Sequence, residues 1–318
     1  MEDATSGKKK LIVFMPCYNA ERYIAQTLDS ILNQTYEKFD LLIIDDGSTD
    51  KSRDILEGYI KKDKRVKLIE NRKNRGIAYT RNRGLEICDC EYLALMDADD
   101  IAPPERLEKE IQFLEEHKDI GAVGGLYQLI DSNGSKLHTS LKLVLSDAAI
   151  RANMLFFNPI ANGSMMLRME VVRKNNLRYR EENVALEDYL FWSEFLKYSK
   201  INNLNYIFQF YRISETSLER KTRDKDLLSR KDYFDRIHEK LYETMGIRLS
   251  QKEKEVLKKA TRDQSELTGV KEYLRFFHSL TKMQKQGKEQ GREFEKELRL
   301  VCREYRHKEF KRLLRKRV

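Results

Sequence analysis

Along the first hundred residues, short apolar runs alternate with segments in which apolar side chains recur every three or four positions. "LIVFM" (11–15) is a continuous apolar run of strand length, the pattern of a strand covered on both faces. "ERYIAQTLDSILNQ" (21–34) then sets Ile24, Leu28, Ile31 and Leu32 on one helical face. "LLIID" (41–45) predicts a second strand, and "GSTDKSRDILEGYIKK" (47–62) a helix with Ser48 or Thr49 as its N-cap. "VKLIE" (66–70) and "YLALMD" (92–97) predict two more strands with a helix over 77–87 between them. This repeated strand–helix unit predicts an α/β layer structure with a mostly parallel sheet. After residue 120 the pattern loosens, and "IGAVGGLYQLIDSNGSKLH" (120–138) predicts a hairpin turning at Asn133-Gly134. From about residue 220 the text is charged and helical, as in "KDYFDRIHEKLYETMG" and "EKEVLKKATRDQSEL". A catalytic-type domain over 8–219 and a helical C-terminal region over 220–318 follow from that change.

Three of the predicted strands end in polar or acidic text: "PCYN" (16–19), "DDGSTD" (45–50) and "DADD" (97–100). In open α/β sheets, ligands sit outside the carboxyl ends of the strands, so the chemistry is expected there. A strand that ends in Asp97, Asp99 and Asp100 crowds like charges, which is costly unless they are paired or hold a cation. Mg²⁺ or Mn²⁺ takes oxygen ligands and bridges to substrate phosphates, so one or two aspartates suffice. An acidic loop or helix cap explains "DADD" equally well when it is read alone. Asp45 and Asp46 end another strand, followed by Gly47 and small hydroxyl residues where backbone could approach a nucleotide. Arg72, Arg75, Arg81 and Arg83 lie between these strands and offer cations for phosphate oxygens, although arginines on a surface helix are more often solvated.

Composition narrows the class. In 318 residues, 40% hydrophobic and 36% charged content with four prolines describes a folded, helix-rich globular chain. The formal charge is +9, of which residues 303–318, with eight Lys/Arg and two Glu, contribute +6. A localised basic block suits an anionic partner, lipid or nucleic acid, or a merely solvated tail. Cys17, Cys88, Cys90 and Cys302 are too few and scattered for a disulfide framework or a tetrahedral zinc site. No signal peptide and no apolar stretch of membrane-spanning length is apparent, so the expected location is cytoplasmic.

Taken in order, "PCYNAERYIAQTLDSILNQTY", "LLIIDDGSTDKS", "NRGIAYTRNRGLE", "YLALMDADDIAPPERLEK" and "LEDYLFW" resemble the inverting family 2 glycosyltransferases of GT-A fold, across roughly residues 10–213. "NPIANGSMMLR" and "LRYREENVALEDYLFW" are similar to bacterial enzymes that extend lipooligosaccharide and capsule chains, among them lipooligosaccharide β-1,3-N-acetylglucosaminyltransferases. The resemblance implies a mixed sheet flanked by helices, with a C-terminal helical extension. It also implies transfer from a UDP-sugar, with UDP-N-acetylglucosamine or UDP-galactose favoured, to a hydroxyl of a cell-surface glycan or lipid-linked acceptor. Pro16, Tyr18, Asp46, Arg75, Arg81, Asp97 and Glu187 then fall to the nucleotide sugar, Asp46 at the base. Asp99, with Asp97, falls to a divalent metal on the diphosphate, and Asp100 stays open as a ligand.

The base by the same correspondence is Asp188 of "ALEDYLFW". An acceptor hydroxyl needs a carboxylate within hydrogen-bond reach. Read alone, Glu187-Asp188 is more simply a helix N-terminus favoured by the dipole. Trp192 is either core or a face for the acceptor sugar, and Asn162, Gly163 and Ser164 are candidate donor or acceptor contacts. Many relatives carry "YRxH" with a metal-binding histidine where this chain reads "YRIS", Ser214 standing at that position. Phe294, Leu298, Val301 and Tyr305, then Phe310, Leu313 and Leu314, make 294–318 a basic amphipathic helix. It suits either an anionic membrane at the inner face of the cell membrane or packing on protein, a homo-oligomer included. Two other readings stay open: a nucleotidyltransferase of similar build, against which the missing glycine-rich phosphate loop argues, and a nucleic-acid-binding protein, which lacks any recognisable reader motif.

Overall fold

The computed structural model describes residues 9–139, 142–181, 186–213, 227–261 and 267–315. Contacts divide the chain into two compact units, Met1–Leu145 with Ile160–Tyr233, and Ser146–Pro159 with Phe234–Val318. The boundary expected near 219 lies outside the described residues. The second unit also takes in Ser146–Pro159, a segment that no composition shift marks.

The first unit is built on a seven-stranded sheet of order β3-β2-β1-β4-β6-β5-β7. Its elements in chain order are β1 (Lys9–Cys17), α1 (Ile24–Leu32), β2 (Asp40–Asp45), α2 (Ser52–Lys62), β3 (Val66–Glu70), α3 (Ile77–Ile87), β4 (Cys90–Leu95), α4 (Arg106–Glu116), β5 (Ile120–Ile130), β6 (Met166–Arg168), α6 (Met169–Lys174), α7 (Glu187–Phe195) and β7 (Lys200–Arg212). Strands β1 to β4 are parallel, β6 runs antiparallel between β4 and β5, and β7 pairs parallel with β5. Leu11, Val13 and Met15 are buried against Leu41, Ile43, Tyr92 and Ala94, as continuous apolar strands require. Ile24, Leu28 and Ile31 complete that core from α1.

Two helix starts differ from expectation. Helix α2 begins at Ser52, because Ser48 Oγ donates to Asp45 and Thr49 N donates to Asn19 Oδ1 at 2.8 Å. Those hydroxyl residues serve the strand-end loop, and Asp50 accepts from Ser52 N at 2.9 Å at the helix entry. Helix α1 begins at Ile24, after a turn that Asp50 and Ser52 hold through Glu21 N and Ala20 N. The Asn133-Gly134 turn forms, with Gly134 at φ +88°, but its return strand is one bridge, Ile130 to Lys136. β5 spends its length on β7 instead.

The second unit is helical: α5 (Asp147–Met154), α8 from its Phe234 turn onward (whole helix Leu227–Thr244), α9 (Gln251–Thr261), α10 (Val270–Gly287) and α11 (Arg292–Arg315). The stripe that suited either a membrane surface or packing on protein is buried over most of its length. Phe294, Leu298, Val301 and Cys302 are buried, and the Tyr305 ring stacks on Phe156 of the same unit at 4.5 Å. Helices α5 and α10 are its partners, so the apolar area is consumed within the protein. Phe310 (49% exposed) and Leu314 (50%) remain outside among the cations. Among the described residues, no helix is long and apolar enough to cross a membrane.

Candidate functional site

Register brings the polar strand ends to one edge: Cys17 lies opposite Asp45, and Phe14 opposite Leu95. From there two acidic clusters project. At β2, Asp46 is 3% exposed and its carboxylate accepts from Asn71 Nδ2 (2.6 Å), Arg75 N (3.0 Å) and Gly76 N (2.8 Å). Gly47, at φ +72°, lies under the same loop, where a Cβ would come within 2.7 Å of Lys73 C. The expected base-binding aspartate therefore ties down loop 71–76. Pro16 is buried in β1, whereas Tyr18, just past the end of β1, is exposed, as is Arg75 of loop 71–76, whose guanidinium lies 4.1 Å over Tyr79. Arg83 donates to Asn71 and to Glu70 O, which takes it off the expected phosphate cluster.

At β4, Arg106 of α4 is wholly buried and donates to Leu95 O at 2.7 Å, propping the strand end. Its partner Glu110 is pushed up to about 7 by burial, against the pull of Arg106. Beyond the strand, Asp100 is 1% exposed and accepts from Arg212 N at 2.8 Å and from Gln209 Nε2. Arg212 Nε donates to Asp99 O at 2.8 Å, and its guanidinium also reaches Gln26 and Asp131 O. Asp100 is thus a buried anchor of the loop to β7, which removes it as a metal ligand. Burial, then the Asp99 and Asp97 charges, raises its carboxyl well above the usual range.

Asp97 and Asp99 remain at the surface of this cluster. Burial and the Asp97 charge push the Asp99 carboxyl up to about 6. Among the described residues no three His, Cys, Asp or Glu side chains converge as a complete metal site. Asp97 shares its one guanidinium with Glu187, and Asp99 stands beside it with its carboxyl raised, a pair that fits an ion completing its shell from phosphate and water. Ser214, at the histidine position of relatives, lies outside the described residues.

The candidate base lies in the first turn of α7, near enough to Asp97 to feel its charge. The Asp188 carboxyl is pushed up to about 7 by burial and the Glu187 charge, with Arg81 opposing. Asp188 Oδ1 accepts from Tyr189 N at 2.6 Å. Glu187 Oε1 accepts from Arg81 Nη1 at 2.8 Å, and Arg81 Nη2 donates to Asp97 Oδ1 at 3.1 Å. Trp192 is fully buried and donates to Asn162 Oδ1 at 3.2 Å, which takes it away from any acceptor sugar. Asn162 and the buried Ser164, whose Oγ donates to Ala161 O at 2.9 Å, are scaffold. Gly163 alone of that trio touches the cluster: a Cβ there would lie 2.7 Å from Asp97 Oδ2 and from Gln209 Nε2. Sequence reasoning missed Asn71, Arg106, Gln209 and Tyr179. Arg106 and Arg212 lie inside the quoted motifs, but nothing in their spacing separates a prop from a ligand.

Among known proteins, the chain is 41% identical over 189 residues to an uncharacterized glycosyltransferase of Haemophilus influenzae, covering 57% of this chain and 58% of that one. It thus spans under two thirds of that relative's length. It is 31% identical over 209 residues to the Escherichia coli UDP-Glc:alpha-D-GlcNAc-diphosphoundecaprenol beta-1,3-glucosyltransferase WfgD, covering 65% of this chain and 78% of that one. Among solved structures it resembles Staphylococcus aureus TarS 1–349 in complex with UDP-GlcNAc, at TM-score 0.61 and 18% identity over 94% of this chain and 92% of that one. The mixed sheet with its flanking helices is the GT-A fold. The family model Glycosyl transferase family 2 matches residues 12–175, and the chain belongs to that family.

Proposed function

We propose that this chain is an inverting glycosyltransferase that moves a sugar from a UDP-sugar to a hydroxyl of a cell-surface glycan or lipid-linked oligosaccharide. The observation that carries the reading is the Arg81 fork, which ties Glu187, the neighbour of Asp188, to Asp97 and so brings the Asp188 carboxyl, raised to about 7 by burial and the Glu187 charge, to the acidic end of β4. A general base works best when its pKa lies near the operating pH. Asp188 takes the acceptor proton as the acceptor oxygen attacks the anomeric carbon. The bond from that carbon to the diphosphate oxygen breaks, the new glycosidic bond forms on the opposite face, and UDP leaves with the electron pair. Asp99, with Asp97, would hold Mn²⁺ or Mg²⁺, which supplies charge stabilisation to the leaving diphosphate. Tyr18, just past β1, and Arg75, in the loop after β3, are both exposed and would line the nucleotide's approach.

The relatives support the donor and acceptor classes: WfgD is named for UDP-Glc and a diphosphoundecaprenol acceptor, and the TarS structure holds UDP-GlcNAc. UDP-N-acetylglucosamine and UDP-galactose are the donors to try first. A lipid-linked acceptor agrees with the exposed Phe310 and Leu314 among Lys308, Lys311 and Arg312, a small attachment point for an anionic membrane. The test is a UDP-release screen over nucleotide sugars with Asp99→Ala and Asp188→Asn as controls. Release of UDP without pyrophosphate, abolished in both variants, is the expected result; native rates in Asp188→Asn would remove the base assignment.

A further inference from the structure

We infer that Arg81 is a positioning residue, not a donor ligand: its guanidinium locks the base-bearing end of α7 to the Asp97 wall. This rests on the assignment of Asp188 as base.

The residue is 7% exposed, and its two terminal nitrogens go to carboxylates on different elements, Glu187 at 2.8 Å and Asp97 at 3.1 Å. A fork of fixed geometry holding two carboxylates fixes the distance between them, which a flexible point charge does not. The face of the guanidinium rests on the Tyr179 ring at 5.4 Å. That ring is itself fixed, because Asn82 Nδ2 donates to Tyr179 O and Tyr179 N donates to Asn82 Oδ1, each at 2.8 Å. Tyr179 also stacks on Phe191 of α7 at 4.3 Å. Consecutive residues of α3 therefore hold α7 twice, Arg81 by charge and Asn82 by way of Tyr179, whose backbone it binds and whose ring stacks on Phe191.

Glu187 Oε2 is buried and accepts no hydrogen bond from the described residues, among which Arg81 is the cation paired with this carboxylate. Without Arg81, the Glu187 and Asp97 charges would stand uncompensated beside Asp188, and the α7 terminus would be free to shift. A displacement of about 1 Å at a reacting group costs on the order of 100-fold in rate. Arg75 in the same segment is exposed, whereas Arg81 is already occupied.

The test uses the full chain with Arg81→Met, Arg81→Lys, Glu187→Gln and the double variant Arg81→Met/Glu187→Gln. UDP with Mn²⁺ is titrated calorimetrically, melting is followed, and kcat and donor KM are measured separately. Arg81→Met should bind UDP within about threefold of the native chain while kcat falls on the order of 100-fold with donor KM unchanged. The double variant should lose no more than Arg81→Met alone, in rate and in melting, because the pair acts as one unit. Weakening of UDP binding by about 30-fold or more with kcat intact at saturating donor would make Arg81 a phosphate ligand and overturn the inference. Losses that multiply in the double variant would also overturn it. Should Arg81→Met fail to fold, Arg81→Lys serves: unchanged UDP affinity with kcat reduced about tenfold supports the lock, and native kcat sinks it. UDP titration and melting need no acceptor. A chain that releases UDP from no donor would therefore count against the proposed function, while the melting cycle would still decide the Arg81–Glu187 coupling.

Discussion

Two strand ends of the same sheet carry adjacent aspartates and use them oppositely. At β2, Asp46 meets three donors of loop 71–76 and Asp45 meets Ser48, so the charges are spent on the chain's own turns. At β4, only the innermost carboxyl, Asp100, is spent in this way; Asp97 shares one guanidinium with Glu187, and Asp99 is held up near 6 by burial and its neighbour. A satisfied acidic cluster is architecture, and an unsatisfied one is an invitation to a cation. Proximity of carboxylates in sequence does not distinguish the two; the supply of backbone N–H groups around them does.

The largest expected effect lies at the unsatisfied end. Asp99→Ala should lower transfer by about 1,000-fold, and the chelator EDTA should do the same to the native chain, while the melting temperature stays level or rises. A drop in melting temperature with activity retained would collapse the distinction between the ends. Asp46→Ala should do the reverse and destabilise the fold by about 3 kcal/mol in urea unfolding, because three donors lose a charged acceptor. A native unfolding midpoint for that variant would show that loop 71–76 is held by something else.

The pH dependence sharpens the comparison further. Asp188 acts as a base only when ionised, and its carboxyl is raised from 3.8 to about 7. Below that value, kcat/KM should fall tenfold per pH unit, and above it the profile should level. The sign for stability is opposite. A carboxyl whose folded value is raised binds its proton more tightly in the folded state, so its contribution is present below 3.8 and is lost as pH rises through about 7. Asp188→Asn should flatten that part of the stability profile, which thermal melts from pH 4 to 8 would record. The smallest effect belongs to Ser48→Ala, about 1 kcal/mol with transfer unchanged, since one neutral hydroxyl leaves Asp45.

The parallel half of the sheet was legible because β1, β2 and β4 hold continuous apolar runs and each of the four strands is followed by its own helix, β3 with its Lys67 and Glu70 being the least apolar. Met166–Arg168 was not legible as a strand: three residues, antiparallel, inserted between β4 and β5, have no period to read. Ser146–Pro159 could not be assigned to the second unit, because its partner α11 comes some 150 residues later, a pairing that local text does not encode. At the candidate site, motif order pointed to Asp97, Asp99 and Asp188, and the Arg81 fork links Asp97 to Glu187, the neighbour of Asp188. The fate of Asp100 and Arg81 was not, since it depends on Gln209, Arg212 and Glu187, which approach only after the sheet closes.

Gly163 sets a clearance gauge beside Asp97. Because a single added carbon there would collide with both Asp97 and Gln209, that side of the acidic cluster is closed to gradual change by substitution. Exposed Tyr18 and Arg75 have the slack that Gly163 lacks, since a new side chain at either meets solvent before it meets the fold.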